Sequence, residues 1–165
     1  MADSVAFTAT ADRKTRYAEI LPQLEALLAA ETDAVANLAN VAAVLKEVFG
    51  FFWVGFYLEK GGELVLGPFQ GPLACTRIAF EKGVCGHAFS TWQTVVVEDV
   101  DRFPGHIACA SASRSEIVLP IEGPKGERYG VLDVDSDRLN DFSHVDAEGL
   151  DPIVALVGRM ISASS

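Results

Sequence analysis

The spacing of apolar residues divides this chain into a helical beginning, a β-rich middle and a helical end. From Lys14 to Glu31 the apolar positions recur every three or four residues, as in an amphipathic helix, although Pro22 should kink it. A second helix should begin after Thr32 or Asp33, either of which can cap it, and end at Gly50. The predicted apolar face of this second helix comprises Val35, Leu38, Ala42, Leu45 and Phe49.

The middle of the chain changes to an alternation with period two, which indicates β-strands. Residues 51–59 are aromatic and β-branched, and the turn Lys60-Gly61-Gly62 joins them to residues 63–69 as a hairpin. Residues 83–92 are rich in small side chains and predict a short helix. The other predicted strands cover residues 75–80, 94–98, 115–122 and 128–136.

A last helix closes the predicted fold. Ser143 and Asp146 have the spacing of a capping box, with Asp in place of the usual Glu or Gln, and Pro152 should bend the helix that follows. Residues 1–13 show neither pattern and predict a loose leader. Two helices, about six strands and a last helix predict one α+β domain over residues 1–165, in which helices flank an antiparallel sheet.

Composition and charge restrict the class of partner. The chain of 165 residues carries 23 acidic against 13 basic residues, a net charge of −10, which argues against nucleic acid and anionic membranes as partners. No apolar run approaches the roughly 18–20 residues that cross a bilayer, and the first residues lack the pattern of a signal peptide. We therefore expect a cytoplasmic protein, whose charge permits a small cationic or zwitterionic ligand.

The three cysteines are the first candidates for chemistry. A single cysteine is most often a small buried apolar residue, but Cys75, Cys85 and Cys109 each lie near glycine at a strand edge or in a loop. Such positions favour thiols that meet a ligand and each other. Together with His87 and His106 they leave a zinc site open. Because the spacing is poor and no Cys-x-x-Cys is present, we rank zinc below redox chemistry and predict no metal or cofactor.

Acidic and aromatic residues form a second candidate group. Asp133 and Asp135 alternate with apolar residues and share one side of a strand, and Glu116 lies at the start of another strand. Carboxylates at strand ends are usually solvated, but few basic residues lie nearby to pair with these, and together they would hold an ammonium group well. Trp53 and Tyr57 also share one face of their strand, where the ordinary role of such rings is packing in the core.

Six motifs together carry a resemblance to a known family. They are WVGFY (53–57), LGPFQGPLAC (66–75), GVCGHA (83–88), VVEDVDRFPGHIAC (96–109), SRSEIVLPI (113–121) and GVLDVDS (130–136). In combination they resemble the free methionine-(R)-sulfoxide reductases, GAF-domain enzymes that act on the free amino acid, over residues 35–156. The resemblance implies a GAF-like fold, a homodimer, and reduction of free L-methionine-(R)-sulfoxide to L-methionine with thioredoxin as the reductant.

The resemblance also implies a role for each cysteine. Cys109 matches the catalytic cysteine of the family, Cys75 its main resolving cysteine, and Cys85 a third cysteine that can join thiol exchange. The reaction would pass through a sulfenic acid on Cys109 and an intramolecular disulfide that thioredoxin reduces. The family usually has an acidic residue directly after the catalytic cysteine, where this chain has Ala110.

The remaining site residues implied by the resemblance bind the substrate. Trp53 and Tyr57 match an aromatic pair that packs on the substrate methyl group. Glu116, Asp133 and Asp135 match acids around its amino group and sulfoxide oxygen. Protonation of that oxygen needs a carboxylic acid with a raised pKa, and a cluster of like charges can raise it. The same charges disfavour a thiolate, so we expect the catalytic cysteine to become reactive mainly with substrate bound.

The competing interpretation is a non-catalytic GAF module that binds a small ligand as a sensor. It stays open because this fold hosts many functions and does not by itself decide between them. A sensor needs the pocket, but it has no need of Cys75 and Cys85. The cysteines combined with the acidic strand therefore favour the enzyme.

Overall fold

The computed structural model describes residues 4–106, 109 and 112–161 of the chain. Its helices and strands are α1 (Arg13–Ala29), α2 (Ala34–Phe49), β1 (Trp53–Lys60), β2 (Glu63–Gln70), β3 (Arg77–Ala79), α3 (Gly83–Thr91), β4 (Val95–Val97), β5 (Ser115–Glu122), β6 (Arg128–Ser136) and α4 (His144–Met160). A short 3-10 turn at Val100–Arg102 follows β4. None of the helices in this part of the chain has the length and hydropathy of a membrane-spanning segment.

The six strands form one antiparallel sheet in the order β3-β2-β1-β6-β5-β4. β1 and β2 form the predicted hairpin, β5 and β6 form another, and β1 pairs with β6 at the centre. The predicted α+β class with a six-stranded antiparallel sheet is therefore confirmed. The central pairing of β1 with β6 joins segments that lie far apart in the sequence, and no local turn signals it.

Capping residues set the helix boundaries as the sequence predicts. Asp33 accepts a hydrogen bond from the backbone N–H of Ala36 at 2.9 Å and so caps the start of α2. Gly50 takes the left-handed conformation that ends this helix, with φ 66°. Ser143 and Asp146 form a complete capping box at the start of α4, so the shorter acid suffices there.

The predicted apolar face of α2 is wrong at Val35, which is 66% exposed. The buried face of the helix is centred on Leu38, Val41 and Leu45. Val35 lies at the margin of this face in the first turn, so its side chain is directed to solvent although Ala34 beside it packs against the core. The other predicted positions are buried or packed against the core.

Residues 4–12 form no helix or strand, yet they are held against the domain. The backbone N–H of Ala6 donates to Gln23 Oε1, and that of Thr8 donates to Glu19 Oε2, both at 2.8 Å. Phe7 packs against the main core. The leader therefore differs from the loose segment that the sequence predicts, because side chains of α1 satisfy its backbone and its apolar residues are partly buried.

The sheet separates two apolar cores. On one face, α2 and α4 pack against alternate residues of the central strands, such as Val54, Ile117 and Leu132, and α1 packs on these two helices. The opposite face carries the intervening residues and is covered by α3 and by the connections that follow β2 and β4. The candidate site residues lie on this second face.

Candidate active site

The three central strands place the acidic residues side by side. In the register of β1, β6 and β5, Asp135 pairs with Trp53 on one side and with Glu116 on the other. Directly paired residues project to the same face, as do residues two apart on one strand, so Asp133 joins them. The predicted common side of the two aspartates is confirmed, and the sheet adds Glu116 to it.

These three carboxyl groups are buried rather than solvated. Glu116 is 6% exposed, Asp133 5% and Asp135 7%, and none forms an ion pair with another described residue. Burial raises the pKa of Glu116 well above its usual range, and the charges of Asp133 and Asp135 raise it further. Burial also raises the pKa of both aspartates. The cluster therefore retains protons at a pH where exposed carboxyl groups are ionised.

Cys85 brings a thiol to these carboxyl groups from the first turn of α3. Its Sγ donates a sulfur hydrogen bond to Glu116 Oε2 over 4.0 Å, and the side chain is buried. Burial raises the pKa of the Cys85 thiol well above its usual range, and the charges of Asp133 and Glu116 raise it further. Cys85 is therefore a protonated thiol at neutral pH.

Cys75 and Cys109 are joined by a disulfide bond, with their Cα atoms 5.0 Å apart. Cys75 lies in the connection between β2 and β3, because β3 begins at Arg77 and is shorter than the predicted strand. Cys109 lies in the connection that leads to β5. The bond therefore links two connections on the site face of the sheet, and it joins the two cysteines that the family resemblance pairs.

Trp53 and Tyr57 anchor the connection that carries Cys75. The indole Nε1 of Trp53 donates to the carbonyl of Pro72 at 3.0 Å, and the hydroxyl of Tyr57 donates to the carbonyl of Cys75 at 2.8 Å. At Gly71 (φ 143°) a Cβ would lie 2.6 Å from Cδ1 of Trp53, so only glycine lets the chain cross the indole there. This anchoring is not among the expectations from the sequence. The signal for it is that buried Trp and Tyr need partners for their polar atoms.

A cavity of about 30 Å³ lies between the acidic face of the sheet, α3 and the disulfide. The cavity is lined by seven of the eight predicted site residues, and the eighth, Cys75, is bonded to one of them. The seven are Trp53, Tyr57, Cys85, Cys109, Glu116, Asp133 and Asp135. A space of this size holds about two water molecules. With the disulfide formed, the surrounding side chains therefore fill nearly all of the site.

The cavity wall also contains polar residues without a predicted role. Lys82, His106 and Ser113 line it, and Nδ1 of His106 and Oγ of Ser113 are buried without a hydrogen bond to any described residue. Nothing in the sequence distinguishes His106 from a histidine that only structures a loop. Ala110 lies outside the described residues, so its effect on binding or thiol activation stays a prediction.

The zinc set that the sequence left open is not assembled among the described residues. His87 is exposed on α3, and two of the cysteines are bonded to each other. The potential metal ligands that do lie together in the described chain are Cys85, Glu116 and Asp133, with one ligand atom from each within 4.8 Å of the others. This set differs from the predicted one because the carboxyl groups, not the histidines, face the free thiol.

The architecture defines the class of protein. An antiparallel sheet with α1, α2 and α4 on one face, and a small cavity under α3 on the other, is the arrangement expected for a GAF domain. The chain belongs to the GAF domain family, whose model matches residues 29–162. The predicted GAF-like fold is therefore confirmed.

Relatives with descriptions of their own cover most of the chain. GAF domain-containing protein A of Dictyostelium discoideum is 56% identical over 146 residues, which are 88% of this chain and 92% of that protein. The free methionine-R-sulfoxide reductase of Escherichia coli is 45% identical over 149 residues, 90% of either chain. A solved structure of the free methionine-R-sulfoxide reductase from Neisseria meningitidis in complex with its substrate is 55% identical. Its TM-score is 0.94, and the match covers 98% of this chain and 96% of that one.

Proposed function

We propose that this protein is an oxidoreductase that reduces free L-methionine-(R)-sulfoxide to L-methionine. The observation that carries the proposal is the disulfide between Cys75 and Cys109 beside a cavity lined by buried carboxyl groups and aromatic rings. The relatives from E. coli and N. meningitidis, both named free methionine-R-sulfoxide reductase, support the same substrate. The reaction requires no cofactor, because thiols supply both electrons.

The substrate is a zwitterion whose ammonium group suits the acidic face of the sheet. Glu116, Asp133 and Asp135 have no cationic partner among the described residues, so an ammonium group would compensate charge that is otherwise uncompensated. Trp53 and Tyr57 present apolar ring surface to the same cavity, which suits the methyl group on the sulfoxide sulfur. The two sets of contacts orient the sulfur between them.

In the first chemical step, the thiolate of reduced Cys109 attacks the sulfoxide sulfur. A carboxylic acid of the buried cluster protonates the sulfoxide oxygen, which the raised pKa values of Glu116 and Asp135 support. The sulfur–oxygen bond of the substrate breaks, methionine departs, and the oxygen remains on Cys109 as a sulfenic acid. Cys109 becomes reactive mainly when the substrate ammonium group offsets the negative cluster.

In the second step, Cys75 attacks the sulfenic sulfur of Cys109, water leaves, and the disulfide forms. The Cα separation of 5.0 Å suits this bond. Thioredoxin then reduces the disulfide by thiol exchange and is itself oxidised. Cys85 is the third thiol of the family pattern, and it takes part in exchange when Cys75 is absent.

We also infer from the resemblance that the protein acts as a cytoplasmic homodimer under oxidative stress. A cytoplasmic location would supply the thioredoxin that the second step requires. Size-exclusion chromatography with light scattering should give the mass of two chains, and a mass of one chain would contradict the dimer.

Thiol counting tests the proposed function directly. The fully reduced protein has three thiols, and one equivalent of L-methionine-(R)-sulfoxide should leave one, with one methionine formed per chain. The S epimer should leave all three. A protein that binds the R epimer but keeps three thiols would be a sensor, and the proposed reaction would be wrong.

Two variants serve as controls for the roles of the cysteines. Cys109→Ser should produce no methionine. Its thermal unfolding should still be cooperative, which shows that the variant is folded. Cys75→Ser should produce one methionine per chain but should not be recycled by thioredoxin at the wild-type rate. Substantial turnover by Cys109→Ser would remove Cys109 from its assigned role.

A further inference from the structure

The buried thiol and two of the carboxyl groups form a compact set of potential metal ligands, a role that the proposed reaction does not use. One atom each of Cys85, Glu116 and Asp133 lies within 4.8 Å of the other two, and all three residues are at least nine-tenths buried. They come from three elements, α3, β5 and β6, so the sheet and helix packing fix their positions. Such a set approaches the ligand count of a zinc site with one open position.

A second observation points to a ligand at this cluster. Oδ1 of Asp133 is buried and makes no hydrogen bond to any residue in the described ranges, although the side chain is only 5% exposed. Buried polar atoms are nearly always paired, because an unpaired one costs about 1–3 kcal/mol. Nδ1 of His106 and Oγ of Ser113, on the wall of the same cavity, are also buried without a hydrogen bond to any described residue. The cavity therefore presents several polar atoms that a ligand would satisfy.

The size of the cavity in the disulfide form suits an ion better than an amino acid. Its volume of about 30 Å³ accommodates a metal ion with a bound water. Methionine sulfoxide is much larger than this volume. A small cation is thus the class of ligand that this form admits.

We propose that Cys85, Glu116 and Asp133 bind a thiophilic divalent cation such as Zn²⁺, with the fourth position open to the cavity. The bond lengths of tetrahedral zinc place a thiolate sulfur and a carboxylate oxygen about 3.6 Å apart. Cys85 Sγ and Glu116 Oε2 are 4.0 Å apart, so this pair has to approach by about 0.4 Å on binding. The thiolate selects against Mg²⁺ and Ca²⁺, which prefer shells made of oxygen.

Binding of the cation releases protons and transfers no electrons. Cys85 loses its thiol proton to solvent as the sulfur–metal bond forms, Glu116 and Asp133 lose any proton that they hold, and the two positive charges of the ion compensate the resulting negative charge. The ion also takes Glu116 and Asp133 away from the substrate ammonium group. Zn²⁺ is therefore a reversible competitive inhibitor. This last consequence rests on the proposed function, whereas the binding of the ion does not.

Cobalt binding to the oxidised protein tests the metal site without relying on activity. In this form the disulfide leaves Cys85 as the free thiol, so a thiolate-to-cobalt charge-transfer band has one source. We expect the oxidised wild type to show this band with the visible absorption of tetrahedral Co²⁺, and Zn²⁺ to abolish both. A folded wild-type protein that takes up Co²⁺ without the band, or takes up none, would overturn the proposal.

Matched variants identify the ligands. Cys85→Ala should lose the band, and Asp133→Asn should weaken Co²⁺ binding at least about tenfold. Asp137→Asn, at an exposed position just after the end of β6, should bind Co²⁺ as the wild type does. Thermal unfolding confirms that each variant is folded. Equal Co²⁺ affinity in Asp133→Asn and Asp137→Asn would exclude Asp133 as a ligand and contradict the proposal.

A competition experiment separates the metal site from the proposed function. The double variant Cys75→Ser/Cys109→Ser retains Cys85 as its one cysteine and cannot form the disulfide. Methionine should displace Co²⁺ from it, which supports inhibition by competition for the carboxyl groups. If Co²⁺ binds with the band but methionine does not displace it, the inhibitory role is overturned, and the placement of substrate on these carboxyl groups fails separately from the metal site.

Discussion

Tyr57 shows how a single hydroxyl group connects the sheet to the disulfide-bonded cysteines. Its oxygen donates a hydrogen bond of 2.8 Å to the carbonyl of Cys75, while its ring lines the cavity. Burial raises the pKa of Tyr57 far above its usual range, so the hydroxyl remains a donor wherever the protein is folded. The resolving cysteine of the proposed reaction is thus held by a residue assigned to substrate binding.

We expect Tyr57→Phe to slow disulfide formation more than it slows methionine formation. The ring is retained, but the Cys75 carbonyl loses its donor and the connection is less well fixed. The free energy of unfolding should fall by about 1–2 kcal/mol. Rapid-quench counting of thiols and of methionine separates the two steps, and Tyr129→Phe on β6 is the control. An unchanged rate of disulfide formation would contradict the anchoring role.

The carboxyl cluster should make stability depend on pH in an unusual direction. A carboxyl group with a raised pKa in the folded state holds its proton there after the unfolded chain has lost it, above about pH 4.3 for Glu. Its stabilising contribution is complete below that pH and is lost as the pH rises through the folded-state pKa. The free energy of unfolding should therefore fall by up to about 1.4 kcal/mol per pH unit for each such proton.

Glu116→Gln tests this dependence. The variant should show a smaller decrease in the free energy of unfolding between about pH 5 and 8, because one titrating group is gone. Urea unfolding at several pH values, in buffer with a chelator, measures the slope. Glu98→Gln, at an exposed position, should keep the wild-type slope. Identical slopes for wild type and Glu116→Gln would show that Glu116 does not titrate abnormally.

At the scale of elements, one buried carboxylate joins the first helix to the last. Asp146, in the first turn of α4, accepts hydrogen bonds from Arg13 at 3.1 Å and from the hydroxyl of Tyr17 at 2.7 Å, both on α1. Arg13 also pairs with Asp141 at 3.0 Å, just before α4. Asp146 completes the capping box of its own helix as well. The contact of α1 with α4 therefore depends on a polar network in addition to apolar packing.

Asp146→Asn should lower the free energy of unfolding by about 3 kcal/mol. The amide keeps the shape but removes the more deeply buried of the two carboxylates that pair with Arg13, so that only Asp141 remains as its counter-charge. Urea unfolding at neutral pH measures the loss, and Glu148→Gln on the exposed side of the same helix should change stability by less than about 0.5 kcal/mol. A loss no greater than that of the control would show that the network adds little to stability.

Local pattern predicted the elements well, but it did not predict how distant elements cover one another. Asp133 and Asp135 share a face because alternation within β6 is a local property. Their burial depends on α3 and on the connection through Cys75, which reach them through pairings between distant strands. For the same reason Val35 follows the apolar period of α2 and is still exposed, since the sequence does not show where the core ends.

At the scale of the whole molecule, the two faces of the sheet differ in their composition and in their role. The face under α1, α2 and α4 is continuously apolar and supplies most of the core. On the other face, three acidic residues and a thiol replace some of the apolar side chains. This face is covered by the short helix α3 and two connections. Burial of these acids and the thiol would destabilise a protein with a single core. Here the apolar packing on the opposite face of the same strands offsets that cost.

The disulfide between Cys75 and Cys109 has a thermodynamic consequence in addition to its proposed role in catalysis. It closes a segment of 34 residues that contains β3, α3 and β4. Loss of loop entropy in the unfolded chain makes the cross-linked form more stable by about 3–4 kcal/mol. The melting temperature in calorimetry should therefore fall when dithiothreitol is added. Resistance to heat thus reports the oxidation state, and in the proposed reaction the chain is least stable at the stage when the sulfoxide binds.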